Sequence, residues 1–169
     1  MRRIGVISDT HGLLRPQALA ALSGCDPIIH AGDVGDQGVL DSLREIAPVF
    51  AVRGNVDNSA WAAALPETQV VQVDGRLLYV LHDLNALDLD PPTAGFHAVI
   101  VGHTHRPLIE TRNGVLHVNP GSAGPRRFKL PITVGRLILS GGELRAEIVD
   151  IADEPSSPEP RDDASPRPR

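Results

Sequence analysis

Cys25 is the only cysteine in 169 residues, so the chain can form neither an internal disulfide framework nor a four-cysteine zinc site. Phe, Trp and Tyr together make up 3%, which leaves a core to be built from Val, Ile, Leu and Ala. Lys and Arg number 16 against 21 Asp and Glu, a net charge of -5, so no general basic field draws nucleic acid or anionic lipid. No apolar run nears the ~18–20 residues that a membrane helix needs. The run after Arg2 and Arg3 stops at Ser8-Asp9, short of the about 7–15 residues of an export signal, and the two arginines are read as opening a strand. With no disulfides and no export signal, a cytoplasmic location is expected. What remains, 41% hydrophobic and 22% charged residues, is the make-up of an ordinary folded domain.

Residues 153–169 comprise five Pro, three Ser, eight charged residues and one Ala, so they can bury no apolar surface and are expected to form a disordered tail after a single 1–152 domain. In the body, Ile4–Ile7, Pro27–His30 and Val49–Val52 are short, continuous apolar runs, the pattern of strands covered on both faces. Between them Pro16–Leu22, closed by Gly24, and a stretch with Val39, Leu40, Leu43 and Ile46, stopped by Pro48, have helical spacing. Strand-helix-strand-helix-strand implies parallel pairing with right-handed crossovers. After Pro66 come three hairpins, turning at Asp74-Gly75, Asn113-Gly114 and Gly141-Gly142, with a buried strand at Ala98–Val101 between the first two. The expected fold is α/β: a layered β-sandwich of mixed sheets flanked by helices.

Polar groups gather where these strands end, which is where open α/β sheets place their sites. The ends read Ser8-Asp9-Thr10-His11, His30-Ala31-Gly32-Asp33, Arg53-Gly54-Asn55, Leu81-His82-Asp83 and Gly102-His103-Thr104-His105. Carboxylate, imidazole and amide are the donors of transition-metal sites rather than of an all-oxygen Ca or Mg cage. Short motifs such as Gly-Asp recur by chance, but Gly-His-x-His is expected only roughly 0.03 times in a chain of this composition. In an extended segment residues i and i+2 share a side, so Asp9 with His11, and His103 with His105, are expected to converge.

This ordered set resembles the calcineurin-like metallophosphoesterases, in particular their small single-domain phosphodiesterase branch. The resemblance runs from Ile4 to about Arg126 and includes Asn119-Pro120-Gly121-Ser122 followed by Pro125-Arg126. It implies a hydrolase with two divalent transition metal ions, manganese foremost, with Fe, Zn, Ni or Co as alternatives. One ion would be held by Asp9, His11, Asp33 and His105, and the other by Asp33, Asn55, His82 and His103, with Asp33 bridging. Catalysis would fall on Asp33, Asn55 and His103. The implied mechanism is in-line attack on phosphorus by a hydroxide shared between the metals. The substrate would be a small phosphoester, most readily a diester. A phosphomonoester or nucleotide substrate differs only in the pocket, and a scaffold built on the same fold, as in a retromer subunit, is the non-catalytic alternative. No membrane or nucleic-acid partner is indicated, and a homo-oligomer is left open.

The sequence departs from that pattern twice. Where many relatives read Gly-Asn-His, with the histidine as proton donor, this chain has Gly54-Asn55-Val56; Asp57 could serve only if it carried a proton at neutral pH. Where glycine is usual, Asp83 follows His82, either orienting an imidazole or capping a turn before Leu84. His30 is expected to pack behind the site, and His97 and His117 to be ordinary surface or strand residues. Arg53 and Arg126 are candidates for substrate phosphate or for surface ion pairs, Trp61 for packing, and Cys25 for a small buried hydrophobe.

Overall fold

The computed structural model describes residues 1–152; the expected tail lies outside them. Two five-stranded mixed sheets face each other. The first is ordered β10-β9-β1-β2-β3, with β1 (Arg2–Ile7), β2 (Ile28–His30) and β3 (Val49–Ala51) parallel. The hairpin of β9 (Thr133–Ser140) and β10 (Glu143–Asp150) adds to it antiparallel. The second is ordered β4-β5-β6-β8-β7, from β4 (Thr68–Val73), β5 (Arg76–Leu81), β6 (Ala98–Ile100), β7 (Leu108–Arg112) and β8 (Val115–Asn119).

The apolar runs account for the layers. Ile4, Val6 and Ile29 meet Val71, Leu78, Val80 and Ile100 between the sheets. The opposite face of the first sheet, with Ile7 and Ile28, is covered by Leu22 of α1 (Pro16–Leu22) and Leu40 and Leu43 of α2 (Gln37–Arg44). Pro16 opens α1, where its missing N–H costs nothing, and Asp36 caps α2 by accepting from the Gly38 N–H at 2.6 Å. That helix ends at Arg44, well before Pro48, and the chain turns through Ile46, whose N–H donates to the Leu43 carbonyl at 3.0 Å. Trp61 and Cys25 pack into the same layer. The outer face of the second sheet is covered differently: Tyr79, Leu81 and Val99 meet Leu84, Leu87, Leu89 and Phe96 of an irregular segment. Among the described residues both α-helices therefore lie on one side of the sandwich.

The site is positioned by the parallel strands. The chain leaves β1, β2 and β3 at Ser8, Ala31 and Val52, and leaves β5 and β6 at His82 and Val101, so each of the five polar ends follows directly on a strand; β3, at the sheet edge, is half-buried and the others run out through buried residues.

Candidate metal centre

Past Ile7 the chain does not stay extended. Asp9 (φ 55°), His11 (47°), Asp33 (54°), His103 (70°) and His105 (59°) are all left-handed. The alternation expected of a continuing strand is therefore not what brings Asp9 and His11 together, and His103 and His105 do not share one spot as that alternation predicts but fall in two different groups. These segments lie beyond the ladders, and cross-loop hydrogen bonds shape them instead: Asp9 N–H to the Gly32 carbonyl (3.0 Å), His11 N–H to Asp33 (3.0 Å) and Gly12 N–H to Val34 (2.8 Å). A left-handed conformation costs a residue with a side chain about 1–3 kcal/mol, so the surrounding bonds must over-determine it.

Two groups of donors result. Ligand atoms of Asp9, His11 and His105 lie within 4.8 Å of one another, and so do those of Asp33, His82 and His103. The groups adjoin: Asp33 Oδ2 is 3.3 Å from His82 Nε2 and 3.7 Å from His11 Nε2. Asp9 Oδ1 is 3.2 Å from His105 Nε2 and 3.9 Å from the Nε2 atoms of both His11 and His82. Asn55 is exposed and lines a cavity with His82 and Asp83.

The hydrogen bonds of each carboxylate leave one oxygen facing the centre. Asp9 Oδ2 accepts from the Ser8 hydroxyl (2.6 Å) and the His103 N–H (3.1 Å), while Oδ1 is buried with no hydrogen-bond partner. Asp33 Oδ1 accepts from the Val56 N–H at 3.0 Å, which turns Oδ2 inward. His82 Nδ1 donates to the Ala31 carbonyl at 2.7 Å, so a neutral ring presents its lone pair at Nε2, which is likewise buried and unpartnered. Lone pairs of imidazole and carboxylate aimed at each other at such distances require a cation between them, and this donor set fits divalent transition metals. A proton answers the same demand. Burial disfavours charge on His82, but the proximity of Asp33, the Ala31 carbonyl and the Asp33 and Asp9 charges outweigh it and raise its pKa. Burial likewise opposes charge on Asp33, yet His82, the Val56 N–H and the charge of His11 hold it at about 2.

Behind these donors stands a bracing layer of which sequence reasoning assigned only His30. The Asp57 carboxylate, 2% exposed, accepts from the N–H groups of Val34 (3.1 Å), Gly35 (2.9 Å) and Gly54 (2.9 Å), tying the Asp33 loop to the Asn55 loop. Both its oxygens thus accept from backbone N–H groups, so the condition set for Asp57 as a proton donor, a protonated carboxyl, is not what this geometry favours. Asn119 donates to the Gly102 carbonyl (2.8 Å) and Thr104 Oγ1 (3.0 Å), and the Ser122 hydroxyl donates to the Asp9 carbonyl (3.0 Å). The Asn-Pro-Gly-Ser segment therefore locks the loops of Asp9 and His103 together. The Thr10 hydroxyl donates to the Val34 carbonyl (2.9 Å), so at 2.9 Å it accepts from His30 Nε2; His30 Nδ1 then accepts from the Gly32 N–H at 3.2 Å. His30 is a fully buried neutral brace, as expected of it, and burial pushes its pKa down to about 3. Two glycines are required by close approach: a Cβ on Gly54 would collide with the Asp33 nitrogen and carboxylate, and one on Gly102 with Ser8 Oγ and Asp9 Oδ2.

Of the two roles weighed for Asp83, the structure shows the cap, while its other oxygen stands beyond hydrogen-bond reach of His103. Oδ1 caps the turn at Leu84–Ala86 through the Asn85 N–H (3.0 Å), and Oδ2 lies 3.9 Å from His103 Nε2. Arg53 is engaged by Glu67 at 2.9 Å. Arg126 is exposed, and it is the charge of the next residue, Arg127, that bears on His105. His97 accepts from the Leu77 N–H at 3.0 Å, and His117 is buried in β8, which lowers its pKa.

The family description of the calcineurin-like phosphoesterase superfamily domain matches residues 1–142. The chain belongs to that superfamily. A probable metallophosphoesterase of Methanocaldococcus jannaschii is 39% identical over 161 residues, covering 88% of this chain and 81% of that protein. Phosphodiesterase YfcE of Escherichia coli strain K12 is 30% identical, covering 81% of this chain and 88% of its own length. Of solved structures, an archaeal phosphodiesterase superposes with a TM-score of 0.73 at 24% identity, over 87% of this chain and 99% of that one. Chaetomium thermophilum Vps29 does so with 0.71 at 20% identity, over 88% and 97%. These two superpositions establish the fold alone. The superfamily is metal-dependent, and the two donor groups are this member's candidate metal sites. Among the described residues no helix is long and apolar enough to cross a membrane.

Proposed function

We propose that the chain is a phosphodiesterase holding two divalent transition metal ions, manganese foremost. Asp9, His11, Asp33 and His105 hold one, and Asp33, Asn55, His82 and His103 the other. The observation that carries this reading is the buried, unpartnered pair Asp9 Oδ1 and His82 Nε2, with Asp33 Oδ2 facing both donor groups. Bound ions would neutralise charge on the phosphoryl oxygens and make hydroxide available near neutral pH.

The rest of the work is the chain's own. Asp33 contributes the negative charge that offsets repulsion between two close cations, with its rotamer fixed by the Val56 N–H. His103 and Asn55 are the solvent-facing members, so the open side of the centre, where an ester arrives, is theirs. Ser8 and Ser122 are buried, and both donate to the Asp9 loop, so neither serves as a nucleophile. Val56, 47% exposed beside Asn55, offers no proton to a leaving alkoxide, which favours esters whose leaving groups depart as anions. The name of the YfcE relative supports the diester assignment. Vps29 among the fold neighbours keeps a scaffold as the second reading.

Stripping metal with chelator and reloading with Mn, Fe, Zn, Ni or Co separates the two. Turnover of bis(4-nitrophenyl) phosphate should return with at least one ion and exceed that of 4-nitrophenyl phosphate. No turnover with any ion would overturn the enzymatic reading in favour of the scaffold, and preferred monoester turnover would overturn the diester assignment.

A further inference from the structure

Two cavities flank the donor groups, and they differ in kind. One, of about 540 Å³, lies on the His82 and Asn55 side and is charged, with the Arg53–Glu67 pair, Asp88 and Asp83 in its wall. The other, of about 620 Å³, lies beyond His103 and is walled by Leu84, Val101, Pro107, Leu108 and Leu130. Both volumes fall in the range of small-molecule sites. They meet at Asp83, which lines both and stands 3.9 Å from His103 Nε2.

The second cavity is continuous with the centre through backbone as well. Gly102 and Thr104, the neighbours of His103 on either side, form part of its wall, and the segment that supplies Leu130 also carries Arg127, whose charge bears on His105. Its polar wall groups are largely spent internally: the Asn119 amide on Gly102, Thr104 and Gly121, and Asp83 Oδ1 on the Asn85 N–H. What it offers an occupant is apolar surface, with Arg106 at an exposed rim. Residues 153–169 contain no Leu, Ile, Val, Met or aromatic residue to offer such a surface.

A phosphodiester has two arms, and this centre has two unlike cavities. We propose that the cleft of Leu84, Val101, Pro107, Leu108 and Leu130 binds one ester arm of the substrate, which is therefore a phosphodiester with one alkyl or other apolar arm and one polar arm. The inference rests on the phosphodiesterase reading above. The apolar arm lies past His103 and the polar arm past His82, with phosphorus between them.

The test is a series of alkyl 4-nitrophenyl phosphodiesters, with methyl, butyl and octyl arms, hydrolysed by the manganese-loaded protein and followed by release of 4-nitrophenolate, which departs without a proton donor. Each added methylene should raise kcat/KM by about two- to fourfold until the cleft is filled, mainly through KM. Calorimetry should show octylphosphonate binding more tightly than methylphosphonate, with a more negative heat-capacity change. Leu108→Ser, on an exposed edge strand, should flatten the series; Leu130→Ser, checked by circular dichroism, gives the same reading should the first variant misfold. A flat or falling series in a protein that turns over the methyl diester overturns the proposal and leaves the phosphodiesterase reading standing. Failure on every diester, bis(4-nitrophenyl) phosphate included, overturns both. If Leu108→Ser instead converts a dimer to monomer in sedimentation with the series unchanged, the cleft is a contact between copies and the proposal falls.

Discussion

Phe128 aside, the described left-handed residues other than glycine occur in two settings, and the contrast between them explains how the molecule is built. At the hairpins Asp74-Gly75 and Asn113-Gly114, φ is 46° then 79° and 50° then 79°. These are two-residue turns whose sequences prefer that geometry without outside help. At the metal centre Asp9, His11, Asp33, His103 and His105 adopt the same region, and none of them sits in such a two-residue hairpin turn. Their conformation is imposed by bonds from other loops: Gly32 on Asp9, Asp33 on His11, and Asn119 on the two residues flanking His103. The turns are local decisions; the centre is a collective one. Its strain can persist only while the bracing is intact.

The sharpest way to test that contrast is to change a donor and a turn residue side by side. Asp33→Asn keeps shape but removes the charge facing both groups, and should reduce diester kcat by about 10³-fold or more at saturating metal, whereas Asp74→Asn should leave it unchanged. Next in size is the bracing. Asp57→Ala strands three buried N–H groups, and should weaken metal binding by about 10–100-fold in calorimetry, comparable to losing an outer partner of a metal ligand elsewhere. It should also cost about 2–4 kcal/mol in denaturant unfolding. Unchanged metal affinity in a folded Asp57→Ala protein would show that the loops hold their shape without it.

A subtler probe is pH. His30 titrates at about 3 in the folded protein against an ordinary 6.5, so between those values the unfolded chain binds a proton that the folded one refuses. Stability should therefore fall as pH drops below 6.5. The contribution of His30 to metal-free stability between pH 6.5 and 5 is about 2 kcal/mol, read as a steeper pH slope in wild type than in His30→Gln. The smallest change concerns Val56. Val56→His should raise kcat/KM for alkyl diesters more than for nitrophenyl diesters, within the ~10²–10⁴-fold ceiling of general acid catalysis and well below it if the ring is misplaced. Equal or inverse changes would dissociate this position from leaving-group protonation while leaving the donor groups untouched.

Most of the strands and the order of the polar ends were legible because buried strands and Asp-Gly or Asn-Gly turns are local patterns. So were the seven candidate ligands, through strand-end position and motif order; the structure brings the six His and Asp among them together in two adjoining groups. The route by which they converge was not legible. Extended alternation of Asp9 with His11 is a sound rule inside a ladder, but these residues lie past its last rung, where long-range hydrogen bonds decide the backbone. The bracing roles of Asp57, Ser8 and Asn119 were hidden for the same reason: their partners are distant in sequence or are backbone groups that carry no residue signature. The irregular cover over the second sheet was likewise hidden, since Leu84, Leu87, Leu89 and Phe96 follow neither helical nor strand spacing.

The account stands most directly on how many ions the centre takes. Metal-free protein titrated with manganese in a calorimeter should bind two ions per chain, and Asp33→Asn, still folded, should bind fewer than two. Saturation of the wild type at one ion or none, or two ions bound equally well without the Asp33 carboxylate, would contradict it.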